Sequence, residues 1–188
     1  MASCFLVDTV SDSIKGIFET LSKCADISRV AGGSGLRSAS TGIVPMLKLY
    51  NDTARYVNQA GRRKGSFAIF LQPHHPDMLS FLELKKPAGA EEARTRDLFT
   101  AVYASDLFFK RVQDNGTWSF FHPTTAPGLD EAFDDVDDKR CTELYERYER
   151  EGLAVRRIRA QVLWEAILDA QMESGVPYIT NKDQVNRM

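Results

Sequence analysis

The chain has 188 residues, 43% apolar and 27% charged, the composition of a soluble globular domain or a piece of a larger one. Twenty-four basic and 26 acidic residues leave a net charge of −2, which provides no strong field for nucleic acid or a membrane surface. The opening MASCFLVDTV lacks the basic and long apolar regions of a secretory signal, and no run of about 18 apolar residues suggests a membrane span. Three cysteines (Cys4, Cys24 and Cys141) without C-x-x-C spacing argue against a disulfide scaffold or a zinc site, so a reducing, cytoplasmic setting is expected.

In chain order, Ser3 to Val7 is short, apolar and β-prone, and predicts a buried strand. Ser11 or Asp12 can cap the helix that follows, in which Ile14, Ile17, Phe18, Leu21 and Ala25 recur at helical spacing. Gly32 and Gly33 should stop that helix, and Gly32 to Thr41 reads as a polar Gly/Ser-rich loop. A second helix is predicted over Ile43 to Val57, then a basic glycine-containing loop over Asn58 to Ser66. Phe67 to Leu71 is apolar throughout, as a parallel strand covered on both faces would be.

Pro76-Asp77 opens a short helix ending near Lys85. Leu98 to Tyr103 reads as a strand, Leu107 to Val112 as a helix and Thr117 to Phe121 as a strand, followed by the turn-rich HPTTAPG. The acidic stretch Asp134 to Asp138 precedes a charged helix, Lys139 to Arg150. Arg156 to Glu173 reads as one long amphipathic helix ended by Gly175, and Val176 to Thr180 as a last strand. Strands alternating with helices favour parallel βαβ units, leaving an open doubly wound sheet and a piece of an α/β barrel both possible.

Generic motifs carry little. The GGSG at Gly32 to Gly35 lacks the Gly-Lys-Ser/Thr of a P-loop and follows a helix, which also disfavours a dinucleotide fingerprint. Neighbouring His74 and His75 lack the convergent spacing of metal ligands and suit a packing or loop role; no metal is expected. The acidic stretch lacks calcium-loop order and reads as a solvated helix entry. Cys4 is either a small core side chain or a redox thiol at a strand end, which depends on thiolate pKa and exposure. Arg62, Arg63 and Lys64 form either a solvated loop or one facing a phosphate.

Several stretches, in order, resemble one family, the class I ribonucleotide reductase large subunits. They are SCFLVDTVSDSIKGIFETLSKCADISRVAGG, then GIVPMLKLYNDTARYVNQAGRRKGSFAIFLQPHHPDMLSFLELKK, ARTRDLFTAVYASDLFFKRV, TWSFFHP, PGLDEAF, ELYERYER, VLWEAILDAQMESGVPYI and NKDQVNR. The resemblance spans nearly the whole chain. It implies an α/β fold, the first half of a ten-stranded α/β barrel: a parallel half-barrel with flanking helices. Residues 1–188 would form a partial catalytic barrel domain, without the ATP cone and the finger-loop half.

The implied activity is reduction of ribonucleoside diphosphates to deoxyribonucleoside diphosphates by thiyl-radical chemistry, with a cysteine pair as reductant. Cys4 matches the first of that pair, a disulfide half that thioredoxin or glutaredoxin resets. Ser3 matches a substrate-contacting serine, and Gly33 a glycine whose backbone lies near substrate. Asp12, Ser13 and Ile14 match contacts to a deoxynucleotide or ATP effector, and Arg29 stands where the family commonly has Lys. Gln59, Gly61, Arg62, Arg63 and Lys64 belong to the matching specificity loop. Cys24 and Cys141 match no catalytic position. No cofactor is expected to bind this chain directly; the radical would come from a metal-containing small subunit. Implied partners also include a second large subunit or a complementing fragment.

The chain departs from the family pattern in two places. It stops at Asn186-Arg187-Met188, where the family runs on into the finger loop with its Asn-x-Cys-x-Glu, so the isolated chain is expected to be inactive. GGSGLRSASTGIVP joins directly where the family inserts a loop with further effector contacts. The other reading is a non-catalytic nucleotide-binding or interaction module derived from the reductase. A half-barrel is also expected to leave open sheet edges and an uncovered apolar face.

Overall fold

A computed structural model describes residues 4–7, 13–29, 33–36, 42–57, 66–91, 94–134 and 138–187. Five strands form one parallel sheet: β1 (Cys4–Val7), β2 (Gly33–Leu36), β3 (Phe67–Leu71), β4 (Leu98–Ala104) and β7 (Tyr178–Asn181). Their order in the sheet follows their order in the chain. The first three crossovers run through α1 (Ile14–Arg29), α2 (Ile43–Tyr56) and α3 (Met78–Glu83). The last is a long excursion: α4 (Asp106–Gln113), β5 (Thr117–Phe120), α5 (Leu129–Asp134), α6 (Asp138–Glu151), β6 (Arg156–Arg159) and α7 (Ala160–Ser174). β5 and β6 pair antiparallel in a sheet of their own, and α8 (Lys182–Asn186) follows β7.

The helices cover one face of the parallel sheet. α1 packs on α2, α2 on α3, α3 on α7 and α7 on α4, a single continuous layer. Beneath it, Phe67, Ile69 and Leu71 of β3 and Leu98, Thr100, Val102 and Ala104 of β4 are buried. The register sets Ala68 beside Phe99, Phe70 beside Ala101, and Ala101 beside Tyr178, all on the opposite face. There Phe99 is 41% and Tyr178 51% exposed, and their rings stack with centroids 6.4 Å apart. On that second face α5 and α8 reach the carboxyl end of β4, where Tyr103 meets Phe133 edge-on at 5.7 Å and donates its hydroxyl to Asn186 Oδ1 at 3.2 Å. A main helix layer on one side, with Phe99 and Tyr178 open on the other, suits a barrel wall, whereas a doubly wound sheet carries full helix layers on both sides. Five parallel strands match half of a ten-stranded barrel.

Three sequence expectations need correction. The apolar run Phe67–Leu71 is not fully covered on both faces, because Ala68 and Phe70 are only half-buried on the side away from the main helix layer. The polar loop expected over Gly32 to Thr41 contains β2, held by backbone pairing to β1 and β3, a bond that needs no apolar side chain. The long helix expected from Arg156 starts at Ala160, because Arg156 to Arg159 pair with Phe120 to Thr117 instead. Thr117–Phe120 is a strand, as expected, and lies in the two-stranded sheet with β6. Two short helices, α5 and α8, were not expected.

At the helix starts, Ser13 supplies the cap of α1, its Oγ accepting from Gly16 N at 3.1 Å; Ser11 and Asp12 lie outside the described residues. Gly175 ends α7 in the left-handed conformation at φ 77°, where a side chain would be strained.

The excursion is joined to the sheet by an aromatic core. Trp118 stacks on Tyr145 at 4.7 Å, meets Phe108 edge-on at 4.9 Å and donates Nε1–H to the Pro73 carbonyl at 3.0 Å. The indole therefore buries its apolar body and satisfies its one donor. Phe121 N donates to the His74 carbonyl at 2.9 Å, a second tie between β5 and the loop after β3.

Candidate functional site

Cys4 and Gly33 are register partners at the first positions of β1 and β2, on adjacent strands about 4.8 Å apart. Two residues further on, Leu6 pairs with Gly35, Gly35 with Ala68 and Ala68 with Phe99. Because side-chain direction alternates with period two, positions 4 and 33 belong to the face that carries Phe99 and Tyr178. That is the face opposite the α1–α2–α3–α7–α4 layer. Ser3 lies outside the described residues.

The other sequence-derived positions spread along α1 and beyond. Ser13 is occupied as the α1 cap. Ile14 is 79% exposed, with Phe18 exposed one turn later. Arg29 ends the same helix, roughly 24 Å from Ser13 at about 1.5 Å per residue, so a single chain does not bring the two together. Asp12 and the segment containing Gln59, Gly61, Arg62, Arg63 and Lys64 lie outside the described residues. The flanks of that segment are described: α2 ends at Tyr56, and Phe67 pairs with Ser34, the residue after Gly33. Cys24 and Cys141 are buried, and neither is in a disulfide.

The loop after β3 contains both buried histidines. His74 Nε2 lies 3.3 Å from Asp130 Oδ1, and its ring meets Phe133 edge-on at 5.1 Å. His75 Nδ1 accepts from Asp77 N at 3.1 Å, while Asp77 Oδ2 accepts from Ile43 N, an orphan donor at the start of α2. Both histidines thus serve loop packing. Among the described residues no group of three or more His, Cys, Asp or Glu could hold a metal ion.

Burial pushes the His75 imidazole down to about 4. A histidine whose pKa is lowered in the folded state contributes fully above the unfolded value near 6.5, and that contribution is lost as pH falls towards 4. The loss is about 3 kcal/mol for a shift of this size. His75→Asn keeps an acceptor near the Nδ1 position and does not titrate. Urea unfolding of both proteins at pH 7 and pH 4 should show the wild type losing about 3 kcal/mol more than the variant; equal losses would remove His75 as the cause.

Sequence reasoning missed a buried ion pair just past β7. Lys182 is 0% and Asp183 3% exposed, with Nζ 2.7 Å from Oδ1. The ammonium also lies over the Phe133 ring, 5.1 Å from its centroid. Asp183 Oδ2 accepts from Asp106 N at 2.5 Å, and the Asp106 carboxylate takes Asn181 Nδ2 at 3.1 Å and Arg187 Nη2 at 2.6 Å. The start of α4 and the whole of α8 are thereby locked to the carboxyl ends of β4 and β7. Two adjacent opposite charges in NKDQVNR look like a solvated turn, and no composition signal marks them as buried.

Comparison with known proteins agrees with this architecture. Residues 2–188 match the family model described as ribonucleotide reductase, barrel domain. The whole chain is 47% identical to the large chain 2 of ribonucleoside-diphosphate reductase from Saccharomyces cerevisiae and 49% identical to the large subunit from Arabidopsis thaliana. It is 46% identical to the vaccinia virus large subunit. It covers 23%, 24% and 26% of these relatives, so the chain spans about a quarter of their length. The aligned stretch of 203 positions exceeds the 188 residues of this chain, so the relatives carry extra residues within the matched region. No helix among the described residues is long and apolar enough to cross a membrane.

Proposed function

The chain belongs to the ribonucleotide reductase barrel-domain family, and from that premise we propose that it forms part of a large subunit reducing ribonucleoside diphosphates to deoxyribonucleoside diphosphates. Cys4 supplies one of two thiols. The overall step consumes two thiols and one ribonucleoside diphosphate; it yields one disulfide, one deoxyribonucleoside diphosphate and water. Thioredoxin or glutaredoxin then reduces the disulfide, and a metal-containing small subunit supplies the radical. Ser3 and Gly33 lie against substrate. Asp12, Ser13, Ile14 and Arg29 serve the nucleotide effector, and the loop of Gln59, Gly61, Arg62, Arg63 and Lys64 relays its identity. The remainder of the barrel comes from further chain or a complementing fragment, the working unit includes a second large subunit, and the compartment is the cytoplasm.

The observation that carries this reading is the register of Cys4 with Gly33 on the face opposite the main helix layer. That register places position 4 on the face that would line the barrel interior, and the neighbouring glycine leaves room for a ligand to approach the backbone. A single turnover of CDP by a complete large subunit with its small subunit, run without external reductant and quenched by alkylation, tests it. Mass spectrometry should find Cys4 in a disulfide, with Cys24 and Cys141 alkylated only after unfolding. Formation of dCDP with Cys4 still a free thiol would refute the assignment.

A further inference from the structure

The excursion between β4 and α7 has a surface that the reductase reading does not use. Thr117 pairs with Arg159 and Ser119 with Arg157, so these four share one face of the β5–β6 sheet. Trp118, Phe120 and Ile158 turn the other face into the core. Three of the four residues of β6 are arginines, all exposed. Among the described residues β6 pairs with β5 alone, which leaves its outer edge as a sheet edge.

Beside that face lies a cleft of about 510 Å³, lined by Arg111, Thr117, Glu146, Glu149, Arg150 and Arg157. Its carboxylates are already engaged. Glu149 takes Arg111 Nη2 at 2.9 Å and the Ser119 hydroxyl at 2.7 Å, and Glu146 lies 3.6 Å from the same guanidinium. Arg150 Nε and Arg157 Nη2 donate to the Glu146 and Glu149 carbonyls near the end of α6, where the helix dipole favours cations. Each keeps further N–H donors, and Arg156 and Arg159 face no carboxylate among the described residues. A chain of net charge −2 thus gathers uncommitted cations on one strand edge.

We propose that β6 docks an extended acidic segment of a partner protein, which adds a third strand to the β5–β6 sheet. Arginines at i and i+2 match the two-residue period of such a strand, so alternate carboxylates meet Arg157 and Arg159. The guanidinium fork receives a carboxylate through two parallel hydrogen bonds. The open edge supplies backbone donors and acceptors. The same charges repel a second copy of β6, which selects against self-pairing while admitting the acidic strand.

A fluorescent seven-residue peptide alternating glutamate and threonine, titrated into the 188-residue chain and followed by anisotropy, tests the proposal. Binding should weaken several-fold when salt rises from about 50 to about 300 mM. Arg157→Glu combined with Arg159→Glu should weaken it by about tenfold or more, with an unchanged circular dichroism spectrum. Against the wild-type chain, a peptide N-methylated on its edge-facing amides should also bind about tenfold more weakly, a control that needs no protein variant. No binding at millimolar peptide, equal binding of a lysine–threonine peptide, or equal binding of the N-methylated peptide would each overturn it.

Discussion

Replacing Cys4 with serine in a complete large subunit is expected to cut turnover supported by thioredoxin or glutaredoxin by about 10³-fold or more, a barrier increase of about 4 kcal/mol or more. A hydroxyl cannot form the disulfide that stores the two oxidised equivalents, so the second thiol is left without a partner. The effect should fall on chemistry rather than binding. Position 4 is held in β1 by backbone pairing to Gly33, and serine changes none of those bonds. Substrate affinity measured by equilibrium dialysis should stay within about threefold of wild type, while the rate of dCDP formation collapses. If the serine variant turns over at the wild-type rate with thioredoxin, Cys4 is not the reductant. Cys24→Ser provides the contrast: its thiol is fully buried under the α1–α2 layer, and its loss should leave reductant coupling intact.

Lys182→Met should cost about 3–5 kcal/mol of stability, because it removes one half of a buried ion pair and leaves a desolvated carboxylate behind. Asp183 is 3% exposed; after the substitution it keeps the Asp106 amide and loses its cation. Combining Lys182→Met with Asp183→Asn should recover most of the loss. The asparagine oxygen still accepts from Asp106 N, and the thioether replaces the ammonium against the Phe133 ring. Urea midpoints for the two single variants and the double variant close a cycle, in which strong coupling is the expected signature. A Lys182→Met variant within about 1 kcal/mol of wild type would show that the pair is not electrostatically isolated.

The ion pair shows where sequence reasoning stopped. Lys and Asp side by side in NKDQVNR are ordinary surface residues by every local criterion. They are buried because α8 turns back over β4 and because Phe133, brought in by α5, closes over the ammonium. β2 is a similar case. GSGL has neither alternation nor β-branching, and it becomes a strand because β1 on one side and β3 on the other both present unpaired backbone. Arg156 to Arg159 are helical by pattern and extended in fact, since Thr117 to Phe120 offer a ladder that the local pattern does not reveal.

By itself, the order of residues determined the family, the alternation of strand and helix, and the identity of Cys4 as the thiol to examine. Each of these rests on local patterning or on an ordered series of matching stretches, information that lies along the chain. The tertiary structure alone decided that the main helix layer lies on one face and that positions 4 and 33 lie side by side on the opposite one. It also decided that Lys182 is wholly buried and that β6 is an arginine-lined edge. Each of those depends on which distant backbone fills a hydrogen-bonding edge, and on which side chains exclude water from a charge.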